Sequence, residues 1–242
     1  MSRMSIRSLW AAAALAVAAA GAPAKAALVD VTWTGTVSSG NVGTAGAFGI
    51  QDTFAGNELA GQAFSAFFRF DTTIGSLVQG AGFADLRGGT NFGDGSFAPP
   101  VVSATLTING VTVSFGGDKF AGYSRKSADG ISDIYTEVDT ADGDILFLRL
   151  FRLDQNIPFP GFGETLSYNI GGAGDSPQGV FQQLDGETFL FSGNFAPTKV
   201  TIAPYVATNP NPPSSVPEPA SMALAGIGLA LLGIARRRRD PA

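Results

Sequence analysis

The chain has 242 residues, no cysteine and no histidine, and charged residues make up 14% of it against roughly 25% in ordinary soluble domains. That excludes a disulfide framework, a thiol nucleophile, a Ser-His-Asp triad and any metal site built on His or Cys; a bound metal would need oxygen ligands, which favours calcium. Residues 27–216 hold eight basic and eighteen acidic residues, a net charge of −10, which repels phosphate backbones and argues against nucleic acid as a partner.

Arg3 and Arg7 precede an apolar run at 9–20, and small residues follow it. Ala24-Lys25-Ala26 fits an A-x-A cleavage pattern, so 1–26 reads as a secretory signal peptide cut after Ala26, or after Ala24. The run has the length of a signal-peptide apolar region and is too short to span a bilayer.

From 27 to 203 the pattern is β. Val29, Val31, Trp33 and Val37 alternate with Asp30, Thr32, Thr34 and Thr36, and Phe64, Phe68 and Phe70 alternate with Ser65 and Arg69. Asn109-Gly110 is a type I′ turn signal between two alternating runs. In that register Ile108 faces Val111, Leu106 faces Val113 and Ala104 faces Phe115. The other face pairs Thr107 with Thr112 and Thr105 with Ser114, so one face is apolar and one hydroxylated. Strands are also expected at 131–139 and 144–153, joined by a turn at 140–143, with a short helix as the alternative for the second. Segments 165–170, 187–192 and 199–203 complete about eight, separated by Gly/Asp/Asn-rich stretches at 40–49, 87–95 and 171–179. Many short strands without a helical period predict an all-β domain of β-sandwich or jelly-roll type.

Three kinds of site residue stand out here. Asp139, Asp142 and Asp144 cluster around Gly143, and Asp129 and Asp133 flank Gly130; closely spaced carboxylates near a tight turn suit calcium, although the spacing is not that of an EF-hand, and polar turn chemistry explains the same residues. Trp33, Tyr123, Tyr135 and Tyr168 have rings able to stack on sugars, with core packing as the competing role, above all for Trp33 in phase with Val29 and Val31. Glu58, Glu137, Glu164 and Glu187 are the glutamates of this region; a glycosidase pair would need two carboxyls about 5–9.5 Å apart.

Residues 204–216 are Pro/Asn/Ser-rich and read as an extended linker. Then come Pro217-Glu218-Pro219, an apolar run at 220–235, and Arg236, Arg237, Arg238 and Arg239. As a helix the run would be about 24 Å long, a little under the roughly 30 Å hydrocarbon thickness, which snorkelling arginines would cover. The arginines should stay cytoplasmic and the residues before 217 outside. Pro217 and Pro219 keep their own stretch off the helix. This order, at the C-terminus of a chain with a signal peptide, resembles the PEP-CTERM sorting signal. The resemblance implies recognition by exosortase, a membrane enzyme of Gram-negative bacteria that make extracellular polysaccharide, and removal of the tail near Pro217, Glu218 and Pro219. Segments 31–37 and 68–72 also resemble, more loosely, the start of many PEP-CTERM exported domains.

The expectation is therefore a protein exported with the help of signal peptidase, held in transit in the inner membrane by 220–235, and delivered to the periplasm, outer envelope or extracellular matrix. Missing catalytic groups point to a non-enzymatic structural or interaction protein of the polysaccharide or biofilm matrix. A carbohydrate-binding β-sandwich module and a carboxylate-based polysaccharide-active enzyme are the alternatives.

Overall fold

Two hairpin turns set the pattern for the rest. Asn109 and Gly110 take φ of 51° and 76°, and Asp129 and Gly130 take 54° and 74°. Both pairs are in the left-handed region that a type I′ turn demands, where Asn, Asp and Gly are favoured. The turns join strands that alternate outward and inward, and the same two-residue period runs through the chain.

The computed structural model describes residues 28–43, 46–53, 56–91, 97–159, 161–186 and 188–205. Ala24 and Ala26, the 204–216 linker beyond Tyr205, Pro217, Glu218 and Pro219, the 220–235 segment and Arg236, Arg237, Arg238 and Arg239 lie outside them. Among the described residues no helix is long and apolar enough to cross a membrane.

The strands are β1 (Leu28–Asn41), β2 (Ala63–Asp71), β3 (Ser76–Gly80), β4 (Phe83–Gly88), β5 (Val101–Ile108), β6 (Val111–Phe115), β7 (Phe120–Ala128), β8 (Ile131–Asp139), β9 (Ile145–Arg152), β10 (Leu166–Asn169), β11 (Ser176–Asp185) and β12 (Thr188–Pro204). A 3₁₀ turn at Ala47–Gly49 is the one helical element among the described residues. All pairings are antiparallel. They join one sheet in the order β3-β4-β7-β8-β9-β11-β12-β1-β2-β5-β6, with β10 added beside β12.

The sheet curls into a half-barrel, and its middle strands show how. β12 has 17 residues and β1 has 14. Their pairing slips between Thr34 and Gly35 and again between Val37 and Ser39. Such bulges bend a strand and increase its twist. At the first slip Gly35 faces Pro197, and a side chain on Gly35 would meet the Ala196 carbonyl at 2.3 Å, so only glycine permits the approach. The curl brings β8 over β1, although β9, β11 and β12 separate them in the sheet. The buried Trp33 indole N–H donates to Thr136 Oγ1 at 2.9 Å across that gap. Phe70 on β2 stacks on Tyr123 of β7 with centroids 5.5 Å apart. A single apolar core fills the concave side, with Trp33, Phe68, Phe70, Leu106, Leu148 and Phe181 fully enclosed. The domain starts and finishes at one place: Val29 pairs with Pro204, and the Tyr205 N–H donates to the Leu28 carbonyl at 3.0 Å.

The all-β expectation matches this structure, and the 101–116 hairpin has the predicted register at each of its five pairs. The expected sandwich or jelly-roll differs in one respect, because the opposed layers are halves of one hydrogen-bonded sheet. Among the described residues there are twelve strands where about eight are expected. β3, β4, β7 and β11 have no counterpart in that expectation. β11 begins inside the 171–179 stretch, and 187–192 and 199–203 belong to one strand, because bulges let β12 carry Gly193, Pro197 and Thr198 without ending. The 144–153 segment is a strand rather than a helix: Leu146, Leu148 and Leu150 point inward, and Phe147 and Phe151 outward.

Candidate functional site

The convex side of β4, β7, β8 and β9 carries three ion pairs. Alternation sends Leu86, Tyr123, Ile134, Thr136 and Leu148 inward and leaves charged and aromatic residues outward. The register then lines these up in rows. Phe83, Lys126, Asp133 and Phe151 form one row, and Asp85, Ser124, Tyr135 and Arg149 the next. A third holds Arg87, Gly122, Glu137 and Phe147.

Opposite charges meet within this surface. Arg149 grips Asp133 with two bonds of 2.9 and 2.8 Å, which holds its guanidinium charged. Arg87 donates to Asp85 at 2.9 Å, and Lys126 reaches Asp129 at 3.2 Å. A groove of about 330 Å³ opens where these rows meet β3, lined by Val78, Phe83, Asp85, Arg87, Lys126 and Asp133 among others. Val78 is 57% and Phe83 36% exposed. An exposed ring beside paired charges and a hydroxyl is the type of surface that takes a polar ring with one apolar face.

Glu137 is the most perturbed acid on this side. Burial pushes its carboxyl up to about 7, and the negative charge of Asp139 adds to the rise, against opposing attraction from Arg87 and Lys119. The Tyr135 hydroxyl donates to it. Asp139 is raised as well, by burial, with Lys119 opposing. Gly122 stands across from Glu137, and a side chain there would press on the Phe120 ring at 2.9 Å and the Tyr135 ring at 3.2 Å.

A second ionic cluster is structural. Arg152 binds Asp154 through two bonds of 2.8 and 2.6 Å, and also binds Asp175 and the Tyr168 hydroxyl. The side chain of Asp175 is 2% exposed and accepts the N–H groups of Gly171 and Gly172, each at 2.8 Å. Burial opposes its ionisation, but these donors and Arg152 hold its carboxyl below the usual range. Arg125, only 1% exposed, donates to the carbonyls of Gly161 and Glu164 at 3.0 Å each and ties down the 161–164 turn.

Among the described residues no group of three acidic side chains comes together, and each calcium candidate has a place of its own. Asp144 instead accepts the Leu184 N–H at 2.9 Å and fixes its turn to β11, Asp142 is exposed, and Asp139 turns toward Glu137. Asp129 is the first residue of an Asp-Gly hairpin turn, and Asp133 is held by Arg149. Trp33 and Tyr123 are fully buried, Tyr168 belongs to the Arg152 cluster, and Tyr135 stays on the convex side, 5.5 Å from Phe147. Glu58, Glu137 and Glu164 stand on separate elements, and Glu187 lies outside the described residues; the carboxyl beside Glu137 belongs to Asp139. Sequence reasoning missed Phe83 and Arg87, whose alternation with Ala84 and Leu86 is the signal that was there to find.

A family model for the PEP-CTERM protein-sorting motif matches residues 215–239. Searches of curated proteins and of solved structures found no match. The motif implies recognition by an exosortase and export across the membrane to the envelope or extracellular space.

Proposed function

We propose that this PEP-CTERM chain is a non-enzymatic structural or interaction protein of the extracellular polysaccharide or biofilm matrix of a Gram-negative bacterium. The observation that carries the reading is the sorting motif at 215–239, placed behind an all-β domain. Export begins with the signal peptide at 1–26. The segment at 220–235 then holds the chain in the membrane, with Arg236, Arg237, Arg238 and Arg239 inside the cell. Exosortase recognises Pro217, Glu218 and Pro219 and removes the tail. The absence of Cys and His from the sequence supports a role without covalent catalysis by a triad or thiol. Intact mass of the protein recovered from cells, with and without the sorting enzyme, tests this reading. The expected product begins after Ala26 or Ala24 and lacks all four arginines. Arginines retained in cells whose exosortase works would refute it.

A second reading is a carbohydrate-binding module acting through the β3–β4 groove. Exposed Phe83, beside Arg87 and Lys126, favours it. Loss of glycan binding on Phe83→Ala would support it.

A further inference from the structure

The other half of the curl turns a different surface outward. The register sets Thr34, Ser65, Thr107 and Thr112 side by side on β1, β2, β5 and β6. Two residues along, Thr32, Phe67, Thr105 and Ser114 form a parallel row. β12 extends the rows with Lys199 and Thr201. All of these side chains are half-buried or exposed. Neighbouring strands are about 4.8 Å apart and alternate residues about 6.7 Å apart, so the hydroxyls form a two-row lattice. Neither row holds a carboxylate. In the row beyond, Asp30 is gripped by Arg69 at 2.7 and 2.8 Å, and that guanidinium also lies 3.8 Å from the Tyr205 ring.

Lys199 is the one charged side chain in the two rows, and so little charge needs explaining in a domain that carries a net −10. Solvated sheet faces commonly use charged side chains for solubility and against misassociation. A nucleic acid or anionic membrane would call for clustered Lys and Arg, and an acidic polysaccharide for guanidinium forks. A protein partner would call for an apolar centre. Rows of hydroxyls, each both donor and acceptor, match a ligand that is itself uncharged and hydroxylated, and Phe67 offers a ring within the row for stacking.

We infer that the convex face of β12, β1, β2, β5 and β6 is a docking surface for a neutral polysaccharide chain lying across the strands. The inference rests on the matrix reading above and names the ligand class for it. Each hydroxyl contact replaces one to water and gains little, so binding comes from many sugar residues engaging the lattice together.

Affinity electrophoresis of the processed protein in native gels containing dextran, mixed-linkage β-glucan or alginate tests it. At least one of the two neutral polymers should retard the protein, equally at about 50 mM and about 500 mM salt, and alginate should not. The triple variant Thr32→Val, Thr34→Val, Thr105→Val keeps shape and β-branching. It should weaken retardation tenfold or more while leaving Tm within a few degrees. If that variant misfolds, Thr34→Lys alone should weaken retardation by the neutral polymer. Four results would overturn the inference: no retardation by either neutral polymer, retardation unchanged in a folded triple variant, retardation by alginate alone, or loss in Phe83→Ala with the triple variant unaffected. Sedimentation showing oligomers of the wild type that the triple variant abolishes would reassign the face to a second copy and overturn it as well. Failure here is separable from failure of the matrix reading, which the mass of the processed termini decides.

Discussion

The two convex faces of this sheet follow the same alternation and end in opposite chemistry. The β4–β7–β8–β9 face is held by ion pairs, a carboxyl pair and aromatic rings. The β12–β1–β2–β5–β6 face presents hydroxyls, with its nearest carboxylate already neutralised. Both cover the same core, so the contrast is not a demand of folding. It teaches that period-2 patterning selects which side chains point outward, while their chemistry remains open to function.

The contrast can be broken most forcefully through Arg125, beneath the charged face. Arg125→Met leaves the carbonyls of Gly161 and Glu164 without this donor and should cost about 3 kcal/mol, read as a lower denaturation midpoint. Trp33→Phe tests the tie between the halves. It removes the N–H that reaches Thr136 and should cost about 1–2 kcal/mol, with the loss recovered in part in the double variant with Thr136→Val. Arg149→Met separates the faces by salt response. It should cost about 1 kcal/mol at low ionic strength and less in high salt, whereas Thr34→Val should show no salt dependence.

pH sharpens the same difference. The Glu137 carboxyl sits at about 7 in the folded protein against an ordinary value of 4.5. Between those values the native state keeps a proton that the unfolded chain has released, so stability should fall as pH rises from 4.5 to about 7. Tyr135, Asp139, Arg87 and Lys119 surround this group, and Asp139 adds a slope of the same sign. Glu137→Gln should flatten the Tm profile over that range. The smallest effect belongs to the hydroxyl face: Thr107→Val removes the 2.8 Å contact with Thr112 and should change stability by less than about 0.5 kcal/mol in thermal melts.

The β5–β6 part of the hydroxyl face was legible in the sequence because two signals coincide there. Asn109-Gly110 fixes the turn and the strict alternation on both sides fixes the register. β8 was legible from its alternation, while a short helix also fitted the segment that forms β9. The short strands β3 and β4 were hidden among glycines, and Asp129-Gly130 is a turn signal read as a possible metal site. The pairings β4–β7, β9–β11 and β1–β12 join segments far apart in the chain, and nothing local records them. The charged site depends on those pairings. Phe83 meets Lys126 and Asp133 only once β4 lies beside β7 and β7 beside β8, so its parts were visible singly but not as a group.

The position of β12 has a mechanical consequence. This strand is bonded to β1 on one side and to β11 and then β10 on the other, and it leaves the domain at Pro204 beside the first residues of β1. Tension on the downstream chain would enter along the strand axis and load both ladders in shear. Many bonds must then give way together instead of peeling singly, so a domain gripped on its sheet and pulled by its tail resists extraction.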